Sequence, residues 1–331
     1  MKILVVRFSS IGDIVLTSPV VRCLKRQAGA EVHFLTKRQY ASILTPNPYI
    51  DRVFSFKHRV REVMKALKKE QYDWIIDLHN NLRSQQIKLA LYKPSRSFDK
   101  LNFEKWLLVN TGLDWLPETN IVHRYMDTLG HLGVEYDGEG LDFFIPPEEE
   151  VDLSRFSPAL EPGKFVAFVI GATYATKRLP TDKIIAVCRQ LGTPVALLGG
   201  PSDAEAGKKI ASASGGNVVN LCGTCSLHQS ASVLKQAGKV ITHDTGLMHI
   251  AAAFRKEMVS VWGNTVPKFG MFPFYPDGME RNTIIEVTGL RCRPCSKIGY
   301  RRCPKKHFKC MNALDIMQIC SAVNDSPRPA K

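Results

Sequence analysis

The sequence predicts an α/β protein of two doubly wound, Rossmann-like domains facing each other across a cleft. Three observations predict it. The chain has 331 residues, more than one ordinary core holds and enough for two domains. Short β-branched apolar runs alternate with amphipathic helical stretches, the pattern of a mainly parallel sheet covered on both faces. The alternation breaks at Pro146-Pro147-Glu148-Glu149-Glu150 and again at Glu161-Pro162-Gly163, then restarts. Residues 1–155 and 156–331 are the expected domains, the second with a Cys-rich segment at 292–310 and a final helix.

In chain order, strands are expected at 2–7, 31–36, 52–56 and 74–78. Helices are expected across Val20, Val21 and Leu24, at 60–69 and at 82–91. The second series runs strand 165–170, helix 181–191, strand 195–198, helix 203–213, strand 218–220 and helix 227–236. Strand 239–242, helix 247–254, strand 258–262 and a last helix at 313–323 complete it, and 324–331 reads as a polar tail. In such sheets ligands lie beyond the carboxyl ends of the strands.

Hydrophobic residues at 44% and charged residues at 23% exclude a disordered chain. No apolar run approaches the roughly 18 residues that span a bilayer, and the first one stops after Val6, too short for a signal peptide. A cytoplasmic location is expected. The formal charge of +14 favours an anionic partner, unless it is a solvated basic face. Nine cysteines in a cytoplasmic chain argue against a disulfide framework.

Three loops carry the chemistry, each after an expected strand. In Arg7-Phe8-Ser9-Ser10-Ile11-Gly12-Asp13, Gly12 permits a tight turn and Asp13 serves as a helix cap or as a general base. Gly171 to Pro180 joins small and hydroxyl residues, Thr173 among them, to Lys177 and Arg178 and then a helix start. That is a diphosphate cradle or simply a basic loop. In Asp244-Thr245-Gly246-Leu247-Met248-His249 a strand passes at once into a small-residue helix, so Thr245 and Gly246 can offer amides to phosphate and His249 falls on the first turn. Asp203, after Gly199-Gly200-Pro201, suits ribose hydroxyls or a helix cap. Neither a dinucleotide fingerprint nor a P-loop is present.

Together these loops resemble those of the bacterial heptosyltransferases (glycosyltransferase family 9, GT-B fold). Ser9 to Asp13 with Thr17 and Pro19 is similar to the family's opening loop. Asp77-Leu78 with Leu82-Arg83-Ser84 is similar to its acceptor-side segment, and Thr173, Lys177 and Pro180 to its diphosphate loop. Asp244-Thr245-Gly246 with His249 and Ala251 to Ala253 is similar to its donor signature, and Val261 to Thr265 to the loop after it. Leu179 stands where an aromatic is common, and Asn264 where proline is frequent.

The resemblance implies an inverting transfer of heptose from ADP-heptose to the Kdo/lipid A inner core of lipopolysaccharide. The acceptor would lie in the first domain against Ser10, Gly12 and Arg83, with Lys57, Arg59 and Arg61 as further candidates. The donor would lie in the second, at Thr173, Lys177, Asp203, Asp244, Thr245, Gly246 and His249. Asp13 would take the acceptor proton. Lys177 would stabilise the departing diphosphate, with no metal needed since no Asp-x-Asp occurs. Contact with the inner face of the inner membrane would be peripheral. A related transferase using a hexose or N-acetylhexosamine nucleotide, or a silent binding protein, are the alternatives.

Cys292, Cys295, Cys303 and Cys310 follow a C-x₂-C-x₇-C-x₆-C spacing that suits a structural zinc or merely packed thiols. The surrounding cations are expected to favour thiolates. A basic nucleic-acid-binding ribbon here would leave the other loops unexplained, so no nucleic acid is expected.

Overall fold

The computed structural model describes residues 1–325, so the end of the expected polar tail, 326–331, lies outside the described residues. The chain forms two compact units. One comprises Met1–Leu101 with Thr119–Phe144, the other Asn102–Glu118 with everything from Ile145 on. The chain therefore passes between units at three places, and 102–118 belongs with the second half.

The first unit contains β1 (Lys2–Val6), α1 (Ile11–Val15), α2 (Ser18–Ala28), β2 (Glu31–Lys37), α3 (Ala41–Leu44), β3 (Arg52–Phe56), α4 (Arg61–Lys69), β4 (Trp74–Asp77), α5 (Leu82–Leu91) and β5 (Ser95–Ser97). After α6 (Asn102–Thr111), which lies in the other unit, α7 (Ile121–Met126) completes it. Its strands are all parallel in the order β3-β2-β1-β4-β5. Leu4, Val6, Leu35, Phe54, Phe56 and Ile75 bury one face of this sheet against Leu67 and Ile87 of the covering helices.

The second unit continues with β6 (Val166–Val169), α8 (Thr181–Gln190), β7 (Val195–Leu198), α9 (Ala204–Ser214), β8 (Val218–Asn220), α10 (Leu227–Gln236), β9 (Lys239–His243), α11 (Gly246–Ala253), β10 (Met258–Trp262), β11 (Asn282–Glu286), α12 (Lys309–Asn312) and α13 (Ile316–Asn324). Its sheet is parallel too, ordered β11-β10-β9-β6-β7-β8. Strands β6, β7 and β10 are buried end to end, as the mainly apolar central strands of a parallel sheet covered on both faces must be.

Both sheets reverse their winding beside a central strand, between β1 and β4 in one and between β6 and β9 in the other. The loops leaving those strands diverge and open a crevice at each reversal. The segments singled out from the sequence leave β1, β4, β6 and β9.

Two strands escaped the sequence reading. Strand β5 reads Ser-Arg-Ser and exists only by pairing with β4. Strand β11 is an edge whose central Thr283 and Ile284 are exposed, so it shows no apolar alternation. The last helix starts three residues later than expected, capped by Asp315, whose side chain accepts from the Met317 amide.

Candidate active site

In the first unit the polypeptide leaves β1 and turns into α1 within four residues. Arg7 is buried at this turn. Its Nε donates to the Ser9 carbonyl (2.8 Å) and its Nη1 to the Leu78 carbonyl (2.5 Å), lacing the end of β1 to the end of β4. The third arm, Nη2, lies 2.5 Å from Asp13 Oδ1. The other oxygen of Asp13 accepts from Ser10 N (3.0 Å) and Ser10 Oγ (2.7 Å). Asp13 is thus at the third position of α1 with its carboxylate folded back on the N-cap, which is a capping role for its own helix. Burial works to raise its pKa, but the Arg7 charge and the two Ser10 hydrogen bonds outweigh it and hold the carboxyl below its ordinary range. An anionic oxygen pair with its side chain 19% exposed is therefore fixed at a sheet reversal. Gly12 precedes it and is buried within α1.

Beyond β4, Asp77 is fully buried and accepts from the amides of His79 and Asn80. Asn81 then caps α5 and projects the exposed Arg83 from its first turn. Arg83 lines a cavity of about 450 Å³ with His58, Arg59, Val60, Arg61 and Gln86. Glu62 spends its carboxylate on the amides of Lys57, His58 and Arg59 (2.7, 2.9 and 2.8 Å), which pulls its pKa down to about 2. These three arginines are the basic residues the structure gathers; Lys57 is not in the lining.

In the second unit, Lys177 closes a 3₁₀ turn in the loop after β6, and Asp244 follows β9. Their side chains meet at 2.7 Å (Nζ to Oδ2), and Thr265 Oγ1 donates to the same oxygen at 2.8 Å. Thr245 is the N-cap of α11 and Gly246 its first residue, so the unbonded amides of that helix open beside the pair. His249 is buried on the same helix, and Thr173 is exposed in the loop. Asp203 takes a different place. Its Oδ1 accepts from Arg178 Nη1 (2.7 Å) and its Oδ2 from the Gly200 amide (2.9 Å), so it braces the loop through Arg178.

Two residues to which the sequence assigned no such role hold these loops. His243 Nε2 accepts from the Leu179 amide (3.0 Å), tying β9 to the loop after β6; burial, helped by Arg178, pushes its pKa down to about 4 and keeps it neutral. Arg293 donates from Nε to the Gly263 carbonyl (2.6 Å) and from Nη2 to the Thr265 carbonyl (2.9 Å) and Glu286 (2.5 Å). His243 ends an apolar strand, and Arg293 stands in the sequence only as one cation of the Cys-rich segment. Leu179 packs in the core of the unit and Asn264 is buried.

Among the described residues all nine cysteines are free. The thiols of Cys292, Cys295, Cys303 and Cys310 lie close enough to feel one another's charge, and Cys292 Sγ is 3.7 Å from His307 Nε2. Burial pushes Cys295 up and Cys310 up to about 11, so at these two the expected thiolate character is corrected: loss of hydration outweighs the nearby cations. Thiolate ligands of one tetrahedral zinc stand about 3.8 Å apart. The described residues whose ligand atoms approach within 4.8 Å of one another are instead Glu31, His33 and Glu70. That trio lies at the starting edge of the first sheet, away from the loops, and Lys2 bridges its carboxylates at 3.1 and 3.0 Å.

Residues 60–304 match the sequence model of glycosyltransferase family 9 (heptosyltransferase). Lipopolysaccharide heptosyltransferase 2 of Salmonella typhimurium is 26% identical over 295 residues, covering 81% of this chain and 84% of that protein. Among solved structures, a family 9 glycosyl transferase from Veillonella parvula superposes with a TM-score of 0.78 at 20% identity, over 97% of this chain and 96% of that one. The E. coli ADP-heptose lps heptosyltransferase II reaches 0.69 at 23% identity, over 96% and 99%. An iron-containing dodecameric glycosyltransferase, TibC of enterotoxigenic E. coli, reaches 0.58 at 14%, over 98% and 75%. These likenesses carry the expected fold class of two Rossmann-like α/β units.

Proposed function

The chain belongs to glycosyltransferase family 9, the heptosyltransferases, and on that premise we propose that it moves heptose from ADP-heptose onto the Kdo/lipid A inner core with inversion and without a catalytic metal. The observation that carries this reading is Asp13, an ionised and partly exposed carboxylate fixed by Arg7 and Ser10 at the reversal of the first sheet.

In this mechanism an Asp13 oxygen accepts the proton of the acceptor hydroxyl as that oxygen attacks the anomeric carbon. The bond between that carbon and the diphosphate oxygen breaks on the opposite face, and ADP departs with the electron pair. A sugar centre with oxocarbenium character tolerates a weak nucleophile, so a base of low pKa suffices. Lys177, Thr173 and the amides at Thr245 and Gly246 receive the charge that grows on the diphosphate. Asp244 holds Lys177 in place by the 2.7 Å contact. Arg83, Arg59 and Arg61 take the acid groups of the acceptor, which suits a formal charge of +14.

The acceptor is membrane-borne, so the protein works from the cytoplasm at the inner face of the inner membrane. No helix among the described residues is long and apolar enough to cross a membrane. The four cysteines stand as a structural metal site by residue type and spacing alone, since no three of their thiols lie within 4.8 Å of one another; no catalytic step passes through it. A different nucleotide sugar is the second reading, favoured by Leu179 and Asn264 at positions where the family usually carries other residues.

Two measurements test the proposal. ADP and ADP-heptose should raise the melting temperature where UDP, GDP and their sugars do not, since a ligand at about 100 times its Kd adds about 2.7 kcal/mol. Asp13→Ala should keep that stabilisation yet lose transfer by about 10²–10⁴-fold. Near-normal transfer by the variant would remove Asp13 from the chemistry.

A further inference from the structure

Segment 102–118 leaves its largest apolar side chains in water. Phe103, Trp106, Leu113 and Trp115 are 59%, 56%, 55% and 65% exposed. On α6, Leu107 turns inward and is buried, while Phe103 and Trp106, three residues apart, share the outer face. The Phe103 ring lies 6.4 Å from Trp106 and 6.4 Å from Trp115, so the three rings make one continuous surface. Contiguous exposed aromatics on a folded chain mark an interaction site.

The charge beside this surface decides among partners. Lys297 Nζ donates to Asn102 Oδ1 (3.2 Å), which brings the segment 291–309 against the start of α6. That segment holds eight Lys and Arg and no Asp or Glu. Lys297, Arg301, Arg302, Lys305 and Lys306 are exposed, with Ile298 and Tyr300 exposed among them. The core of a protein interface is depleted in charge, whereas aromatic rings beside a field of cations suit the boundary of an anionic bilayer.

We propose that this face docks on an anionic phospholipid bilayer, with Phe103, Trp106 and Trp115 entering the headgroup boundary and the 291–309 cations against the headgroups. It extends the membrane-borne acceptor proposed above by naming the surface, and it holds whichever sugar is transferred.

The test uses the full chain with vesicles of phosphatidylcholine alone or mixed with phosphatidylglycerol, without acceptor. The protein should sediment with the mixed vesicles in a salt-dependent way and shift its tryptophan emission to the blue. The triple variant Phe103→Ser, Trp106→Ser, Trp115→Ser should bind about tenfold or more weakly while keeping its melting temperature and its stabilisation by ADP. Arg301→Gln with Arg302→Gln should weaken binding and flatten the salt dependence. Unchanged vesicle binding in both variants would overturn the proposal. So would equal binding to neutral vesicles, or a triple variant whose only change is loss of self-association, since a second copy would then cover the face. Transfer to a deacylated, water-soluble acceptor should survive in the triple variant, which separates failure of this surface from failure of the transferase reading.

Discussion

Arg7 Nη2 stands 2.5 Å from Asp13 Oδ1, and the remaining two arms of the same guanidinium join the Ser9 and Leu78 carbonyls at the ends of two adjacent strands. The cation that sets the charge of Asp13 is therefore also the clamp that sets its position. Replacing Arg7 should alter both rate and pH dependence.

Removing the Arg7 charge leaves the burial that raises the Asp13 pKa unopposed except by Ser10. In Arg7→Met the acid limb of kcat/KM should move to higher pH, and kcat should fall. The linkage has the same sign. A carboxyl depressed in the folded state contributes stability above its unfolded value near 3.9, and that contribution disappears as pH falls through the lower folded value. Wild type should thus keep this contribution down to about pH 4, while Arg7→Met should lose activity at higher pH than wild type. A pH–rate profile that does not move would separate Arg7 from Asp13.

Lys177 and Asp244 should separate binding from positioning. Lys177→Met removes the cation and should weaken ADP binding about 10- to 100-fold, the range of one charge-assisted hydrogen bond. Asp244→Asn keeps a polar partner at that position and should cost less. Calorimetric titration with ADP reads both effects, and an unchanged ADP affinity in Lys177→Met would place the diphosphate elsewhere.

The arginine-lined cavity predicts the opposite selectivity. Arg83→Gln, alone or with Arg59→Gln and Arg61→Gln, should raise the KM for acceptor and reduce its sensitivity to salt, with ADP affinity intact. Equal loss of donor and acceptor binding would point to a folding defect.

Gly263 tests how tightly the loop after β10 is set. A Cβ there would lie 2.5 Å from the Thr176 carbonyl and 2.6 Å from Met311 Cε. Arg293 holds the Gly263 carbonyl at 2.6 Å, which ties the loop in place. Gly263→Ala should cost about 1–3 kcal/mol in denaturant unfolding. It should also weaken ADP binding, because Thr176 immediately precedes Lys177.

The cysteines give an elemental prediction. The purified protein should carry close to one zinc per chain by mass spectrometry, and Cys292→Ser with Cys295→Ser should lose it and melt lower. A metal-free protein of unchanged stability would make the thiols simple packing residues.

The sequence alone determined what depends on neighbours along the chain. Strand β3 and helix α5 fall at the expected residues because alternating and helical apolar spacing are local signals. The loops after β1, β6 and β9 were legible for the same reason, as small and polar residues abruptly ending apolar strands. Strands β5 and β11 were not legible, since their pairing partners define them while their side chains stay exposed. Only the tertiary structure decided which charges meet. Arg7 and Leu78, Lys177 and Asp244, and Arg178 and Asp203 are 71, 67 and 25 residues apart and come together through strand order in the two parallel sheets. The pattern of a segment shows where it will be buried, but the register of the sheet chooses its partner, and partners decide whether a carboxylate such as Asp13 stays ionised or one such as Asp203 is already occupied.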